Sequence, residues 1–419
     1  MWNKHGADRA TVEWLLGSKS IDEFAQQYYE RAPLHVVRDR AGFYDRFFSL
    51  AELERVIFST EIAKEGLFAT KDGTPAREDS YVRKLDFSAT GGAPKTIIDA
   101  DRVGTLFAHG CSIVVDRIQV HSSGMASLCR ALEAFFRARA AANVYLTPGG
   151  GSQGFSAHYD THDAVIIQIE GTKQWRLYDW GTELALREQR HDAKKHPAGE
   201  LKQELEMRPG DLLYIPRGIM HEARSSDALS LHVTIGLYPT LWIDVVTEAL
   251  AAAREELVLR RSISVDAATN FGDPDVAAAL ARFVTPENLQ AAAARLERKL
   301  ATERRNELEG QLRQIALLRT LSERSSVSIR PHMLYELAEA EETTLSFSGK
   351  TIRLQRGAAE IVRALDGGEA VSVATLAARE PKALEIVRQL IADGFALQRE
   401  LEPQERSRPS LRVVEDLAS

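Results

Sequence analysis

Cysteine is nearly absent from this 419-residue chain, where Cys111 and Cys129 are the only two. Two thiols in a chain this long do not make a disulfide framework, and both lie in apolar stretches, as reduced core residues do. No apolar run approaches the roughly 20 residues that span a bilayer. The start, Met1-Trp-Asn-Lys-His-Gly-Ala-Asp8, lacks a basic stretch leading into an apolar one, so no signal peptide is expected and a cytoplasmic location is. Positive charge is not in surplus: 53 Lys and Arg against 60 Asp and Glu leave a net charge of -7. That removes any general pull toward nucleic acid or an anionic membrane. Internal repeats are missing, and so is low-complexity sequence apart from some Ala-rich runs. No pair of side chains stands out as a general acid and base.

What is present has ordinary globular proportions, 44% hydrophobic and 27% charged, at a length suited to two or three domains. Three zones follow one another. Up to about residue 240, short β-type runs such as Ser112-Ile-Val-Val-Asp116, Ala164-Val-Ile-Ile-Gln-Ile169, Trp175-Arg-Leu-Tyr178, Leu212-Leu-Tyr-Ile215 and Leu231-His-Val-Thr-Ile235 alternate with turn residues. Glu170-Gly-Thr-Lys173 reads as a hairpin connection. Many short strands at regular spacing predict an antiparallel sandwich or barrel. From 241 to 325 the β signal gives way to Ala-, Leu-, Glu- and Arg-rich helical runs, including 289–300 and 307–318. In the latter, Leu308, Leu312, Ile315 and Leu318 share one face. Such helices pack either within their own domain or across a dimer interface.

From 326 to 419 a small mixed unit follows. It offers a strand pair over 346–354, helices over 358–365, 373–379 and 382–392, a last strand near 395–398 and a polar tail from Pro403. That is the order of a winged helix-turn-helix. Between Lys350 and Glu402, eight basic residues balance eight acidic ones, which suits protein contact better than non-specific DNA binding.

The chemistry-bearing residues are His158-Tyr-Asp160 and, further on, His221. Two imidazoles and a carboxylate can occupy one face of an octahedral metal and leave the opposite face open, the arrangement of non-haem Fe(II) oxygenases. Two residues apart on a strand, His158 and Asp160 point the same way. His221 closes the stretch Gly210-Asp-Leu-Leu-Tyr-Ile-Pro216-Arg-Gly218-Ile-Met-His221, which fits the Gly-x5-Pro-x-Gly-x2-His motif of cupin barrels at every fixed position.

With Asn143-Val-Tyr-Leu-Thr-Pro-Gly before the first pair and Gln168-Ile-Glu-Gly-Thr-Lys-Gln-Trp-Arg-Leu-Tyr178 after it, the chain resembles the JmjC-type oxygenases. It is most similar to their ribosomal oxygenase branch, as are Tyr29-Glu-Arg-Ala-Pro-Leu34 and Leu128-Cys-Arg-Ala-Leu-Glu133. The resemblance implies an α+β protein. A double-stranded β-helix (jelly-roll, cupin) catalytic domain would span 1–240, an all-α dimerisation region 241–325 and a winged-helix domain 326–419. It implies Fe(II) on His158, Asp160 and His221, with 2-oxoglutarate and O2 as cosubstrates. Lys173 would hold the far carboxylate of 2-oxoglutarate, a task a lysine point charge can perform. Asn143 and Tyr145 match residues near the cosubstrate, although an added glycine in 149–151 would shift their loop.

Where relatives often carry serine after the His-Val-Thr-Ile run, this chain has Gly236, and Thr234 is the candidate substitute. His232 shares a face with Thr234 and lines the pocket or is a bonded core histidine. His162 is expected at the pocket rim, and His191 and His196 in a solvated loop. The implied activity is hydroxylation of an arginine or histidine in a ribosomal protein by a homodimer. The alternatives are a peptide-tailoring hydroxylase, an N-methyl-lysine demethylase, and a non-enzymatic cupin-fold regulator or scaffold.

Overall fold

The computed structural model describes residues 6–71, 73–85, 95–150, 156–262, 274–305 and 308–399. The polar tail from Pro403 and most of the glycine-bearing segment after Gly150 fall outside them. The chain divides into two compact units: residues 1–307 with 334–336 and 346–350, and residues 308–333, 337–345 and 351–419.

The first unit opens with helices α1 (Gly6–Leu16) and α2 (Ile21–Gln27), strand β1 (Leu34–Val36) and helix α3 (Leu50–Ser59). Ser20 and Ser49 cap α2 and α3, each side chain accepting the N–H three residues on. Then come β2 (Leu67–Lys71), β3 (Thr74–Pro75), β4 (Val82–Leu85), β5 (Lys95–Ile98), α4 (Ala100–Ala108), β6 (Ser112–Val115) and α5 (Ser123–Phe136). The remaining strands are β7 (Ala138–Thr147), β8 (Asp163–Glu170), β9 (Lys173–Trp180), β10 (Leu201–Met207), β11 (Leu212–Ile215), β12 (Ile219–Ser225) and β13 (Ser230–Pro239). Helices α6 (Trp242–Ala251), α7 (Pro274–Ala281) and α8 (Pro286–Glu303) follow.

Among the described residues, eight strands form one sheet in the order β1-β11-β8-β13-β7-β6-β2-β3, and three form a second, β10-β9-β12. This is the expected double-stranded β-helix. Alternation builds it. On β7 and β13 the even-numbered Ala142 and Val144 and the odd-numbered Val233 and Ile235 face α5 and the N-terminal helices, joining Leu128, Leu132 and Phe135 in the main core. Their neighbours Asn143, Tyr145, His232 and Thr234 point between the two sheets. The register sets His232 opposite Tyr145 and Thr234 opposite Asn143. One part of the barrel interior is filled by Ala164, Ile166, Trp175, Leu177, Met207, Leu213 and Ile215. The rest remains a cavity.

Glu170-Gly-Thr-Lys173 connects β8 to β9, but the two strands belong to different sheets, so the expected hairpin is instead a crossing from one sheet to the other. Gly171 stands there at φ +61°, and an added Cβ would lie 1.7 Å from the Leu229 carbonyl oxygen. Only glycine suits both demands. Cys111 and Cys129 are free and buried, and burial pushes the Cys129 thiol up to about 12. In the helical zone, Val245 and Ala249 of α6 pack on Ala292 of α8. Thr285 caps α8 and Pro286 starts it.

The second unit contains α9 (Gln311–Leu317), β14 (Ser326–Ile329), β15 (Glu336–Glu339), β16 (Thr343–Phe347), β17 (Lys350–Leu354), α10 (Ala358–Leu365), β18 (Val371–Ser372), α11 (Val373–Ala377), α12 (Ala383–Ala392) and β19 (Ala396–Arg399), some strands extending into segments of the first. Ile361, Val362 and Leu365 are buried as expected, with Ile386, Val387 and Leu390. The helix expected over 307–318 begins only at Gln311, because Gly310 in the left-handed region (φ +76°) stands before it. Leu308 is therefore outside the helix, and residues 306 and 307 lie outside the described segments.

Candidate metal centre and cosubstrate pocket

His158, Asp160 and His221 come together, with one candidate ligand atom from each within 4.8 Å of the others. His221 lies on β12. His158 and Asp160 differ from expectation, for they sit in an irregular segment before β8 rather than on a regular strand. Their common direction comes from a two-residue bridge instead. The His158 N–H donates to the His221 carbonyl at 3.0 Å, and the His221 N–H donates back at 2.7 Å. The Gly218 N–H donates to the Asp160 carbonyl at 2.8 Å, so both halves of the motif are stitched through backbone.

Both histidine rings are oriented from behind. Nδ1 of His158 lies 2.8 Å from the Ser156 carbonyl and Nδ1 of His221 lies 3.0 Å from that of Ile219. A carbonyl can only accept, so Nδ1 carries the proton in each ring and Nε2 is the ligand nitrogen. Burial, reinforced by His158, lowers His221 to about 4, which keeps it neutral. Burial opposes ionisation of Asp160, but His162, His221 and His158 together outweigh it and hold the carboxyl below its ordinary value. Two imidazoles and one carboxylate form a donor set fit for a divalent first-row metal.

A cavity of about 140 Å³ opens beside these three side chains. Lys173, only 4% exposed, lines it and donates from Nζ to Thr147 Oγ1 at 3.0 Å; Ser112 Oγ donates to the same oxygen at 3.3 Å. Burial lowers the Lys173 ammonium from 10.5 to about 7. It has no carboxylate partner among the described residues. A buried cation beside two hydroxyls, with no anion of its own, fits an anionic ligand.

Asn143, Tyr145 and Thr234 all line this cavity. Asn143 Oδ1 is engaged, accepting the Arg117 N–H at 3.0 Å. Tyr145 stacks on His232 with ring centroids 4.8 Å apart and an interplanar angle of 4°. Burial first, then the charge of Lys173, hold His232 well below its ordinary value, so it is a neutral pocket wall.

Gly236 has a physical explanation. A Cβ there would lie 3.0 Å from Cε1 and Nδ1 of His162, tighter than ordinary contact, so a side chain at 236 requires the imidazole to give way by a few tenths of an ångström. His162 also approaches Asp160, Nε2 to Oδ1 at 4.0 Å, which puts it in the pocket wall. His191 and His196 do not behave as solvated loop residues. Both are half-buried, with ring centroids 5.3 and 5.4 Å from Tyr159, and His191 stands 6.5 Å from His158. Polar neighbours in sequence concealed that contact.

Sequence reasoning passed over Ser112, Thr147, Trp175 and Asp116, all pocket-lining. Alternation along the β7 strand from Asn143 and Tyr145 reaches Thr147, so that residue was recoverable.

Residues 114–244, which hold most of the barrel strands, match the family model of the JmjC domain. The chain as a whole is similar to ribosomal oxygenases. It is 34% identical to ribosomal oxygenase 1 of Gallus gallus over 265 residues, covering 60% of this chain and 42% of that protein. It is 30% identical to the bifunctional lysine-specific demethylase and histidyl-hydroxylase NO66 of Dictyostelium discoideum, covering 58% and 45%. The chain thus spans under half the length of these curated relatives. Among solved structures, the Escherichia coli ribosomal oxygenase YcfD in complex with cobalt and 2-oxoglutarate has a TM-score of 0.52 at 17% identity, covering 91% of this chain and 99% of that one. The complex with cobalt and succinic acid has a TM-score of 0.53 at 16% identity and the same coverage. At such identities the likeness is one of fold.

Proposed function

We propose that this chain is an Fe(II)- and 2-oxoglutarate-dependent protein hydroxylase acting on an arginine or histidine of a ribosomal protein. One observation carries the chemistry: a buried cation without a carboxylate partner, Lys173, shares a single cavity with a two-histidine, one-carboxylate ligand set. His158, Asp160 and His221 hold the metal. Lys173 takes the far carboxylate of 2-oxoglutarate, helped by the hydroxyl of Thr147, while Asn143, Tyr145 and Thr234 wall the cosubstrate. When bound, iron with 2-oxoglutarate and O2 supplies the oxidising power for an unactivated C–H bond. The chain's own contribution is to fix three ligands, to neutralise one carboxylate, to exclude water and to hold the target carbon in place.

Asp116 supports a cationic target. It lines the same cavity at the end of β6, half-exposed, its carboxylate 3.4 Å only from the exposed Arg117. A side chain entering toward the metal passes a negative charge that suits a guanidinium or imidazolium. The names of relatives favour a second reading, removal of an N-methyl group from lysine, which the same ligand set could perform.

The order α10, α11, α12, β19 supports a winged-helix role for the last part of the chain. Exposed Trp242, Ile243 and Leu257 support a dimer built on the 241–325 helices. No helix among the described residues is long and apolar enough to cross a membrane, and the proposed location is the cytoplasm.

Anaerobic titration with Fe(II) tests the reading. 2-Oxoglutarate binding should appear with the metal and vanish in His158→Ala and Asp160→Ala. Retained 2-oxoglutarate turnover in His221→Ala would overturn the ligand assignment. On the substrate, a gain of 16 mass units marks hydroxylation, and a loss of 14 with formaldehyde marks demethylation.

A further inference from the structure

Tyr238 lines the metal-site cavity and also a second, larger one of about 720 Å³. The second cavity lies within the first unit, where the ends of β7 and β13 meet α6 and α8. The Arg187 guanidinium stands 5.9 Å from the centroid of the Tyr238 ring, at the boundary between the two. Two carboxylates reach this second cavity, and each is engaged. Asp244 accepts the Leu241 N–H at 2.9 Å, and Glu248 pairs with Arg295 at 2.7 Å. Of the cations, Arg139 pairs with Glu303 at 2.8 Å. Arg187, Arg254 and Lys299 line the cavity with no carboxylate partner among the described residues. In a chain whose net charge is -7, this is a local surplus of positive charge.

A polypeptide that inserts one side chain beside the metal must lay its neighbours across the mouth. Extended chain advances about 3.3 Å per residue, so positions a few residues from the target reach past Tyr238. We propose that the second cavity is the docking groove for one flank of the polypeptide substrate, and that this flank is acidic. The identity of what enters the metal-site cavity rests on the hydroxylase reading; the charge of the groove does not. Exposed pairs of this kind are individually weak and screened by salt, so the groove selects among polypeptides by several contacts acting together.

The test uses the full chain, loaded with Mn(II) and 2-oxoglutarate under argon, and a randomised decapeptide library with a fixed central arginine or histidine. Peptides retained at low salt are eluted at high salt and sequenced by mass spectrometry. Asp and Glu should be enriched on one side of the fixed residue. In the triple variant Arg187→Glu, Arg254→Glu, Lys299→Glu, that enrichment should disappear, and affinity for a selected acidic-flank peptide should fall roughly tenfold. The control pair Arg83→Glu, Lys84→Glu on β4 should keep both. Wild-type chain that enriches no acidic residues, or a triple variant that enriches them equally, overturns the proposal. Absence of 2-oxoglutarate turnover in the wild type removes the hydroxylase reading instead and leaves the groove result standing.

Discussion

Replacing Lys173 with methionine separates the cost of burying a charge from the benefit it brings. The ammonium is lowered from 10.5 to about 7, a difference near 3.5 units. At about 1.36 kcal/mol per unit, the charged form costs the apo fold up to about 5 kcal/mol, as an order of magnitude. The sign follows from linkage. Between pH 7 and 10.5 the unfolded chain holds the proton and the folded chain has released it, so stability rises with pH in that window. Below pH 7 both states are protonated and the full cost applies.

Lys173→Met removes the cost while keeping the volume close. The apo variant should therefore melt several degrees above the wild type at pH 6, and the gap should close by pH 10. In the same variant, 2-oxoglutarate loses a charge-assisted partner worth about 1.5–3 kcal/mol, so binding in the presence of Co(II) should weaken about 10- to 100-fold. Thermal denaturation across pH and calorimetric titration read the two effects. Parallel melting curves for wild type and variant from pH 6 to 10, together with unchanged 2-oxoglutarate affinity, would refute the reasoning.

Two further predictions concern the scaffold behind the metal. Gly218 has φ +92°, and a Cβ there would sit 1.8 Å from the Thr182 carbonyl oxygen, so Gly218→Ala should cost about 2–4 kcal/mol and weaken Co(II) binding through the displaced Asp160 carbonyl; wild-type Co(II) absorption in a stably folded variant would count against it. Arg217 is buried between Asp163 (3.3 Å) and Glu30, and Arg217→Met should destabilise by about 3–5 kcal/mol because Asp163 stays buried without its partner. Adding Asp163→Asn should recover part of that loss in a double-mutant cycle measured by urea denaturation, and strictly additive losses would show the pair uncoupled.

The metal ligands were legible because their signature is local. Gly210 to His221 encodes a turn, a proline-bounded strand end and a candidate ligand in twelve consecutive residues, and the barrel follows from many short strands at regular spacing. Non-local contacts are not legible in this way. The spacing of His158 and Asp160 predicts a strand, whereas their alignment comes from a bridge to His221, a partner that spacing does not announce. His191 and His196 sit among charged neighbours and were read as solvated, yet Tyr159 gives them an aromatic surface to pack on. Gly236 looked like a missing hydroxyl. In three dimensions the His162 ring packs closely over it, 3.0 Å from where a Cβ would stand.

The reciprocal backbone bonds between His158 and His221 carry a consequence for biogenesis. The two ligating histidines are distant in sequence and meet only when β12 has taken its place against the segment before β8. A chain released or emerging before that pairing owns the three side chains but no common site for them. On the proposed ligand assignment, metal capture awaits that pairing, so only molecules with β12 in place could take up the ion.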